Sequence, residues 1–262
     1  MGEELKSHRH GATLVLTLSN PGLGNALGPA IYSRGLEILE HAAAANDIRS
    51  IVMCGEGSRF SAGGNLRRLQ ANRQEPKAVQ VQSIERLHGW VSSIRAFPKP
   101  VIAAVEGAAA GAGFSLALAC DLIVAAEDAI FLMAYSTIGL SPDGGASWSL
   151  SQRVPRQLAS EWMMLGERIS SQRLHSLGVV NQLATPGTAL AVALDMAERI
   201  NARAPNAMQS SKMLLNAAPE HSLAQQLDLE CVHFVNNLHH PNAGIGIQAF
   251  LDRTKPEFQP LA

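Results

Sequence analysis

Short runs of β-branched and aliphatic residues alternate with longer helical patterns along the first part of this chain. Four runs have the length and composition of buried strands, at residues 13–18, 51–54, 101–105 and 122–125. Between them, apolar side chains recur at helical spacing over residues 29–45, 78–94 and 113–120. Because strands that alternate with helices tend to pair in parallel, the sequence predicts an α/β fold.

The pattern changes near residue 187, where the strand signals stop. Three helical patterns follow, over residues 188–202, 207–217 and 223–233, and the breaks fall at Pro205, Pro219 and Pro241. We therefore predict a core over residues 1–187 and a C-terminal helical region over residues 188–262.

The composition excludes several classes of protein. Hydrophobic residues make up 47% of the 262 positions and charged residues 16%, which is typical of a chain with a substantial apolar core. The net charge is −1, without the basic stripe of a nucleic-acid-binding protein, so no nucleic acid partner is expected. The nearest approach to a basic stripe is Arg67-Arg68. These two residues either lie on a solvated helix face or bind the phosphates of a small ligand.

Cysteine and histidine spacing predicts neither a metal site nor a disulfide framework. Cys54, Cys120 and Cys231 lie far apart, without a CxxC pattern, and His239-His240 is interpreted as part of a loop. The N-terminus lacks the apolar segment of a secretory signal, and the longest apolar stretches are too short or too interrupted to span a bilayer. We expect a soluble, cytoplasmic protein with no metal and no membrane contact.

Two glycine-containing turns carry the strongest chemical signal. Gly63-Gly64 follows the second predicted strand, where the lack of side chains lets backbone amides approach a ligand, and Asn65 can cap the next helix. Residues 105–121 run from a strand into an apolar helix, so the amide of Ala112 would lie at the positive end of that helix. Two such N–H groups aimed at one point form an oxyanion hole.

Both turns also have simpler interpretations. Either one alone can be an ordinary tight connection between a strand and a helix. Gly111 and Gly113 begin the GxG of a dinucleotide-binding fold, but the third glycine of GxGxxG is absent because residue 116 is Leu. The sequence contains no GxxxxGK[ST] loop either, so a nucleotide cofactor is not predicted.

A third turn, at residues 142–145, offers a carboxylate. Asp143 precedes a predicted helix, and its simplest role is the N-cap of that helix. The alternative is a catalytic role. Burial beside apolar neighbours such as Leu140 and Trp148 would raise the pKa of Asp143 toward the range of a working acid–base group.

Together the three turns resemble, in order and interval, those of the crotonase superfamily of enoyl-CoA hydratases and isomerases. The resemblance covers essentially the whole chain and includes NAL at residues 25–27 and GVVNQL at residues 178–183. It implies a core spiral of ββα turns and a C-terminal helical region that makes trimer contacts, in a homotrimer or a hexamer built as a dimer of trimers. It also implies an acyl-CoA thioester as substrate, with coenzyme A present only as part of that substrate and no further cofactor.

The resemblance assigns the oxyanion hole, by position, to the amides of Gly64 and Ala112. Arg67 and Arg68 would then meet the phosphates of coenzyme A. The residues expected to contact the substrate are Ala62, Asn65, Leu66, Arg67, Gly111 and Tyr135.

The sequence departs from the hydratases of this superfamily at both of their catalytic glutamates. Ser115 and Tyr135 occupy those positions, and neither can act as a carboxylate base, which puts two-glutamate hydration in doubt. We expect Ser115 to bond back to the preceding helical turn and Tyr135 to line the acyl pocket. The remaining carboxylate is Asp143, and an aspartate at this turn is the pattern of the epoxyphenylacetyl-CoA isomerase branch.

His88 has two possible roles. In 4-chlorobenzoyl-CoA dehalogenases, which share the aspartate, a histidine at this position helps hydrolysis, although those enzymes have Trp where this chain has Tyr135. Alternatively, His88 lies on a half-exposed helix face without a catalytic role. The surrounding sequence is more similar to isomerases, and most similar to chains called alternative oxepin-CoA hydrolases in phenylacetyl-CoA breakdown.

The sequence thus predicts an enzyme that holds a thioester enolate in a backbone oxyanion hole and shifts a double bond with Asp143 as acid and base. One alternative is that the same carboxylate activates water, as an enoyl-CoA hydratase or a CoA-thioester hydrolase in fatty-acid or phenylacetate catabolism. Another is a non-catalytic binding protein of the same fold. The missing glutamates favour that alternative, whereas the near-neutral charge argues against RNA as its ligand.

Overall fold

Two β-sheets lie at the centre of the computed structural model, which describes residues 3–260. Their strands are β1 (Glu4–His10), β2 (Thr13–Ser19), β3 (Ser50–Gly55), β4 (Val101–Val105), β5 (Ala108–Ala110), β6 (Leu122–Ala126), β7 (Ile130–Leu132), β8 (Ile169–Ser170) and β9 (Gln182–Ala184). The large sheet has the order β1-β2-β3-β4-β6-β9, in which only the β1–β2 pair is antiparallel. The small sheet has the order β5-β7-β8, with β5 and β7 parallel.

Helices cover both faces of the large sheet and form the C-terminal part of the described chain. They are α1 (Pro29–Ala44), α2 (Leu66–Asn72), α3 (Lys77–Ala96), α4 (Ala112–Ala119), α5 (Ala146–Ser151), α6 (Arg156–Leu165), α7 (Ser171–Ser176), α8 (Ala189–Asn201), α9 (Pro205–Ala217), α10 (Leu223–Leu238) and α11 (Pro241–Asp252). The four predicted strands and the three predicted core helices are confirmed, and their ends agree within two residues.

The predicted three-helix tail is wrong in its count, because a fourth helix, α11, follows α10. We interpreted Pro241 as a break, but proline fits the first turn of a helix, where its missing N–H has no partner to lose. The side chain of His240 accepts a hydrogen bond from the amide of Asn242 and caps this helix.

Strand β1 was not predicted either. Its sequence, ELKSHRH, is polar, and only Leu5 of its seven residues is buried. It lies at the edge of the large sheet and pairs with β2 along its full length, so backbone pairing and not side-chain burial defines it.

The core winds as a series of ββα turns, as predicted. One turn consists of β4, β5 and α4, and the next begins with β6 and β7; in each, the first strand joins the large sheet and the second joins the small sheet. The preceding turn starts with β3, continues through a parallel bridge between Ser61 and Ala109, and ends in α2. Because parallel strands of one sheet end at the same edge, the starts of α2 and α4 are brought together.

The tail is attached to the core by α8 and α9. Helix α8 packs on one face of the large sheet, against apolar side chains of β2, β3 and β4 that include Val15, Val52 and Ile102. On α9, Lys212 Nζ lies 2.7 Å from Asp121 Oδ2 and 3.0 Å from the carbonyl oxygen of Ile94, in a buried contact with the core. Helix α10 packs on α9 and α11. Among the described helices, none combines the length and the hydropathy that a transmembrane segment needs.

Candidate active site

The amides of Gly64 and Ala112 lie at equivalent places in consecutive turns of the spiral. Gly64 comes just before α2, whose N-cap is Asn65, and Ala112 is the first residue of α4. The two turns touch, because a Cβ atom on Gly63 would lie 2.5 Å from the carbonyl oxygen of Ala110 and 3.2 Å from the amide nitrogen of Ala112. Within residues 3–260 neither the Gly64 nor the Ala112 amide donates to a protein acceptor, so both N–H groups can bind a ligand.

Asp143 is held by Tyr135 and Ser115, the two side chains that the resemblance places at the glutamate positions of the hydratases. Tyr135 Oη donates a hydrogen bond of 2.6 Å to Asp143 Oδ1. Ser115 Oγ lies 3.2 Å from Tyr135 Oη and within hydrogen-bond distance of the backbone carbonyl oxygens of Asp143 (3.0 Å) and Gly111 (3.2 Å). Ser115 therefore connects the Asp143 turn to the start of α4, where the amide of Ala112 lies.

The structure rejects the helix-cap interpretation of Asp143. Helix α5 begins at Ala146, its N-cap is Gly145, and no side chain bonds to its first turn. Ser115 is bonded back to Gly111, as expected, but it also contacts Tyr135 and the Asp143 backbone, which the sequence did not predict.

The apolar neighbours of Asp143 also differ from those expected. Leu140 and Trp148 are 48% and 38% exposed, and the Trp148 ring stacks on the guanidinium of Arg95, 4.2 Å away. The turn that carries Asp143 packs instead on α3, since a Cβ atom on Gly144 would lie 3.7 Å from Leu87 Cδ2 and one on Gly145 would lie 3.9 Å from Val91 Cγ1.

Burial raises the pKa of Asp143 above its ordinary value. The hydrogen bond from Tyr135 and the charge of His88 both lower this pKa, but they only partly offset burial. Burial and the adjacent Asp143 charge raise the pKa of Tyr135, so the phenol stays protonated and keeps its role as donor. The result is a carboxylate that binds a proton more readily than an exposed one and still has a donor to stabilise its ionised form.

His88 lies on α3 and is exposed. A charge on His88 lowers the pKa of Asp143, and no hydrogen bond joins the two side chains. His88 is thus exposed on a helix face, as in the second of its two predicted roles, and its catalytic role stays a prediction.

The other predicted contact residues, apart from Tyr135, are close in sequence to the two amides. Ala62, Leu66 and Arg67 are exposed, and Leu66 is 58% exposed. Gly111 lies beside the Tyr135 ring, since a Cβ atom on it would be 3.6 Å from Tyr135 Cζ. Asn65 serves in the structure as the cap of α2, where its Oδ1 accepts the amide of Arg68 at 3.1 Å.

Arg67 and Arg68, paired in the sequence analysis, lie in different environments. Arg67 is exposed, whereas Arg68 is partly buried, and its Nε and Nη1 atoms are fully buried without a hydrogen-bond partner in the described chain. The guanidinium lies beside the phenol of Tyr32, whose pKa it lowers against the stronger, raising effect of burial. The sequence analysis did not separate the two arginines. Helical periodicity in so short a helix is the only signal that could have done so.

No group of three or more His, Cys, Asp and Glu side chains in residues 3–260 is arranged to hold a metal ion. His240, which the sequence analysis placed in a loop, is the N-cap of α11.

The family model described as enoyl-CoA hydratase/isomerase matches residues 8–260 of this chain. The chain belongs to that family. Two bacterial members with related sequences come from Escherichia coli strain K12. One, named 1,2-epoxyphenylacetyl-CoA isomerase, is 31% identical over 259 residues, which cover 98% of this chain and 99% of the relative. The other, named 2,3-dehydroadipyl-CoA hydratase, is 33% identical over 256 residues and 98% of both chains.

A solved structure described as an enoyl-CoA hydratase from Polaromonas sp. JS666 shares the fold throughout. It superposes with a TM-score of 0.96 at 62% sequence identity, covering 97% of this chain and 99% of that one. These members of the enoyl-CoA hydratase/isomerase family are named for both isomerisation and hydration. Membership therefore establishes the crotonase fold and the class of enzyme, and the reaction has to be argued from the site.

Proposed function

We propose that this family member shifts the double bond of an enoyl-CoA thioester, with Asp143 as the single acid–base group. The observation that carries the proposal is the 2.6 Å hydrogen bond that Tyr135 donates to Asp143. Because of this bond, the side chain at one of the two positions where the hydratases have a glutamate orients the aspartate. One positioned carboxylate is sufficient for a one-base isomerisation. Two-glutamate hydration needs a second carboxylate, which Ser115 and Tyr135 do not supply.

The amides of Gly64 and Ala112 would stabilise the enolate oxygen. In the described part of the chain neither N–H group has a protein acceptor, and Ala112 is at the positive end of α4. Donors aimed at the point where negative charge develops are typically worth about two to three orders of magnitude in rate each.

The proposed reaction is balanced without a co-reactant. The ionised Asp143 takes a proton from C2 of a 3-enoyl-CoA, and the electron pair moves to the thioester oxygen, between the two amides. When the carbonyl re-forms, the double bond moves to C2–C3, and Asp143 returns its proton to C4. A carboxylate whose pKa burial has raised is a stronger base than an ordinary one and is better suited to take the proton from C2.

Activation of water by the same carboxylate is the second candidate, and it is favoured by the effect of a charge on His88, which lowers the pKa of Asp143. Oxygen-18 water separates the two reactions. We expect a 3-enoyl-CoA to be converted to a 2-enoyl-CoA whose acyl group has the same mass, without oxygen-18. Solvent oxygen in a hydroxyacyl-CoA or in a free acid would instead assign hydration or hydrolysis. In that case, loss of the label incorporation in His88→Gln would add His88 to the mechanism.

We also propose that the active protein is a homotrimer or a hexamer, in agreement with the resemblance. Support comes from the tail, whose helices α10 and α11 carry large exposed apolar side chains: Leu223, Leu227, Phe234, Leu238, Phe250 and Leu251. Large apolar side chains that stay exposed on the surface of one chain are typical of an interface between subunits.

A further inference from the structure

We propose that a cleft between the core and α9 is a second small-molecule site, in which Arg95 and Arg153 bind an organic dianion such as a phosphate monoester or a dicarboxylate. The site is separate from the oxyanion hole, and binding there does not depend on the reaction that Asp143 catalyses.

The cleft has the size of a ligand site and lies away from the candidate active site. Its volume is about 530 Å³, and small-molecule sites typically measure about 300 to 1,000 Å³. The cleft lies where the C-terminal parts of α3, α4 and α5 meet α9, and Ala119 and Cys120 line it at the end of α4. Ala112 is at the other end of that helix, about 10 Å away at the helical rise per residue.

The charged side chains of the cleft carry more positive than negative charge. They are Arg95, Arg153, Lys212 and Asp121. Lys212 and Asp121 form an ion pair at 2.7 Å, so their charges neutralise each other. Neither arginine belongs to an ion pair within residues 3–260. The two guanidinium groups therefore line the cleft without a protein counter-ion.

Both arginines are held in place by the protein itself. Arg95 Nη2 donates a hydrogen bond of 3.2 Å to Asn216 Oδ1, and the guanidinium carbon lies 4.2 Å from the centre of the Trp148 ring. Arg153 donates to one backbone carbonyl oxygen of α4 at 2.9 Å and to one of α5 at 3.0 Å. Within the described residues, no protein atom accepts a hydrogen bond from Nε of either arginine or from Nη1 of Arg95, so donors remain for a ligand.

The electrostatics of the two arginines also favour an anion. Burial lowers the pKa of both guanidinium groups, and the charge of Asp121 offsets this effect only in part. The charge of Arg95 lowers the pKa of Arg153 further, because the two like charges repel each other. An anion bound to both groups would supply the negative charge that the protein lacks at this place.

The lining of the cleft defines the class of ligand. Two guanidinium groups without counter-ions match a ligand with two negative charges, and guanidinium groups bind both phosphate and carboxylate oxygens. The apolar part of the lining includes Ile200, Met208, Leu215 and Pro219. These side chains would cover a short hydrocarbon or aromatic body, which an inorganic ion does not have. An organic dianion therefore fits both the charged and the apolar part of the cleft.

Calorimetry at about pH 8, where a phosphate monoester carries about two charges, tests the site. The probes are phenylphosphate and phthalate, which represent the two classes of dianion, and benzyl alcohol, which is a neutral ring of similar size. We expect the wild-type protein to bind at least one dianion about 10-fold or more tightly than benzyl alcohol, as charge-assisted hydrogen bonds predict. The dianion that binds more tightly identifies phosphate or dicarboxylate as the ligand class. Arg95→Met and Arg153→Met should each weaken its binding about 10-fold or more.

Arg156→Met is the matched control, because Arg156 is exposed at the start of α6 and is not part of the lining, and it should keep the wild-type affinity. If Arg153→Met folds poorly, Arg95→Met decides, since the Arg95 side chain makes a single hydrogen bond in the described chain. The proposal is overturned if neither dianion binds more tightly than benzyl alcohol, or if Arg95→Met binds the dianion as tightly as the wild-type protein. It is also overturned if Arg156→Met weakens binding as much as Arg95→Met, which would indicate attraction by net charge alone. No acyl-CoA takes part in this test, so its outcome and that of the double-bond shift can fail separately.

Discussion

Asp143 has to be ionised to accept a proton and has to hold that proton long enough to return it. Burial on α3 favours the protonated form, whereas the hydrogen bond from Tyr135 and the charge of His88 favour the ionised form. The balance leaves the pKa of the carboxyl raised, which moves it toward neutral pH, where a group that both takes and gives a proton is most effective.

The pH dependence of kcat/KM for the double-bond shift tests this balance. Because the base works ionised, the rate should fall as the pH decreases, and the fall should begin above the range of an ordinary aspartate. Tyr135→Phe removes a donor that stabilises the ionised form, so its acid limb should lie at higher pH than that of the wild-type protein. An unchanged acid limb in Tyr135→Phe would show that the hydrogen bond does not set the pKa of Asp143.

Among the structural elements, the sequence predicted the strands and turns around the site better than the side-chain contacts within it. The central strands are buried on both faces, so continuous apolar runs such as residues 101–105 identify them. The Gly63-Gly64 turn and the start of α4 were also readable, since glycine marks close backbone approach. The contacts among Ser115, Tyr135 and Asp143 could not be predicted from the sequence. They join residues up to 28 positions apart through the packing of α4 against the turn before α5, and no local pattern encodes that packing.

The turn that carries Asp143 depends on how closely it packs against α4. Gly144 and Gly145 both have positive φ, of +59° and +75°. A Cβ atom on Gly144 would lie 2.9 Å from Ser115 Cβ, whereas on Gly145 its nearest neighbour would be Val91 Cγ1 at 3.9 Å. A side chain would therefore be strained by the backbone conformation at both positions, but only at Gly144 would it also overlap with Ser115.

Substituting alanine for each glycine in turn separates the effect of the backbone strain from that of the steric overlap. Gly145→Ala should lower the free energy of unfolding by about 1–2 kcal/mol, the cost of a left-handed conformation. Gly144→Ala should cost about 1–3 kcal/mol more through overpacking, and it should also reduce turnover because Asp143 is displaced. Chemical denaturation and the isomerase assay measure both quantities. Equal effects of the two substitutions would mean that the contact with Ser115 does not position the turn.

At the scale of the molecule, the tail consists of a part that packs on the core and a part that faces outward. Helix α8 covers the sheet, and Lys212 of α9 anchors the tail to Asp121. Beyond them, α10 and α11 expose apolar side chains, of which Phe250 is 83% and Phe234 70% exposed. Such side chains contribute little to the stability of one chain and much to an association between chains.

Sedimentation equilibrium should therefore give a mass of three or six times the chain mass of 27.8 kDa. Phe234→Glu with Phe250→Glu should shift the distribution toward the single chain, because charge at an apolar interface is costly. Met164→Glu, at an exposed position on α6 outside the tail, should leave the assembly intact. A single chain at micromolar concentration in the wild-type protein would contradict the proposed assembly.

If Asp143 alone moves the proton, turnover of a 3-enoyl-CoA by the wild-type protein and by Asp143→Asn will show it directly. We predict a double-bond shift that falls about 10²- to 10⁴-fold in the variant, as expected for loss of a general base, while the affinity for a saturated acyl-CoA is retained. Asp128→Asn, at an exposed carboxylate between β6 and β7, should keep the wild-type rate. A wild-type protein that does not shift the double bond, or a variant that shifts it as fast as the wild-type protein, would contradict the assignment of Asp143.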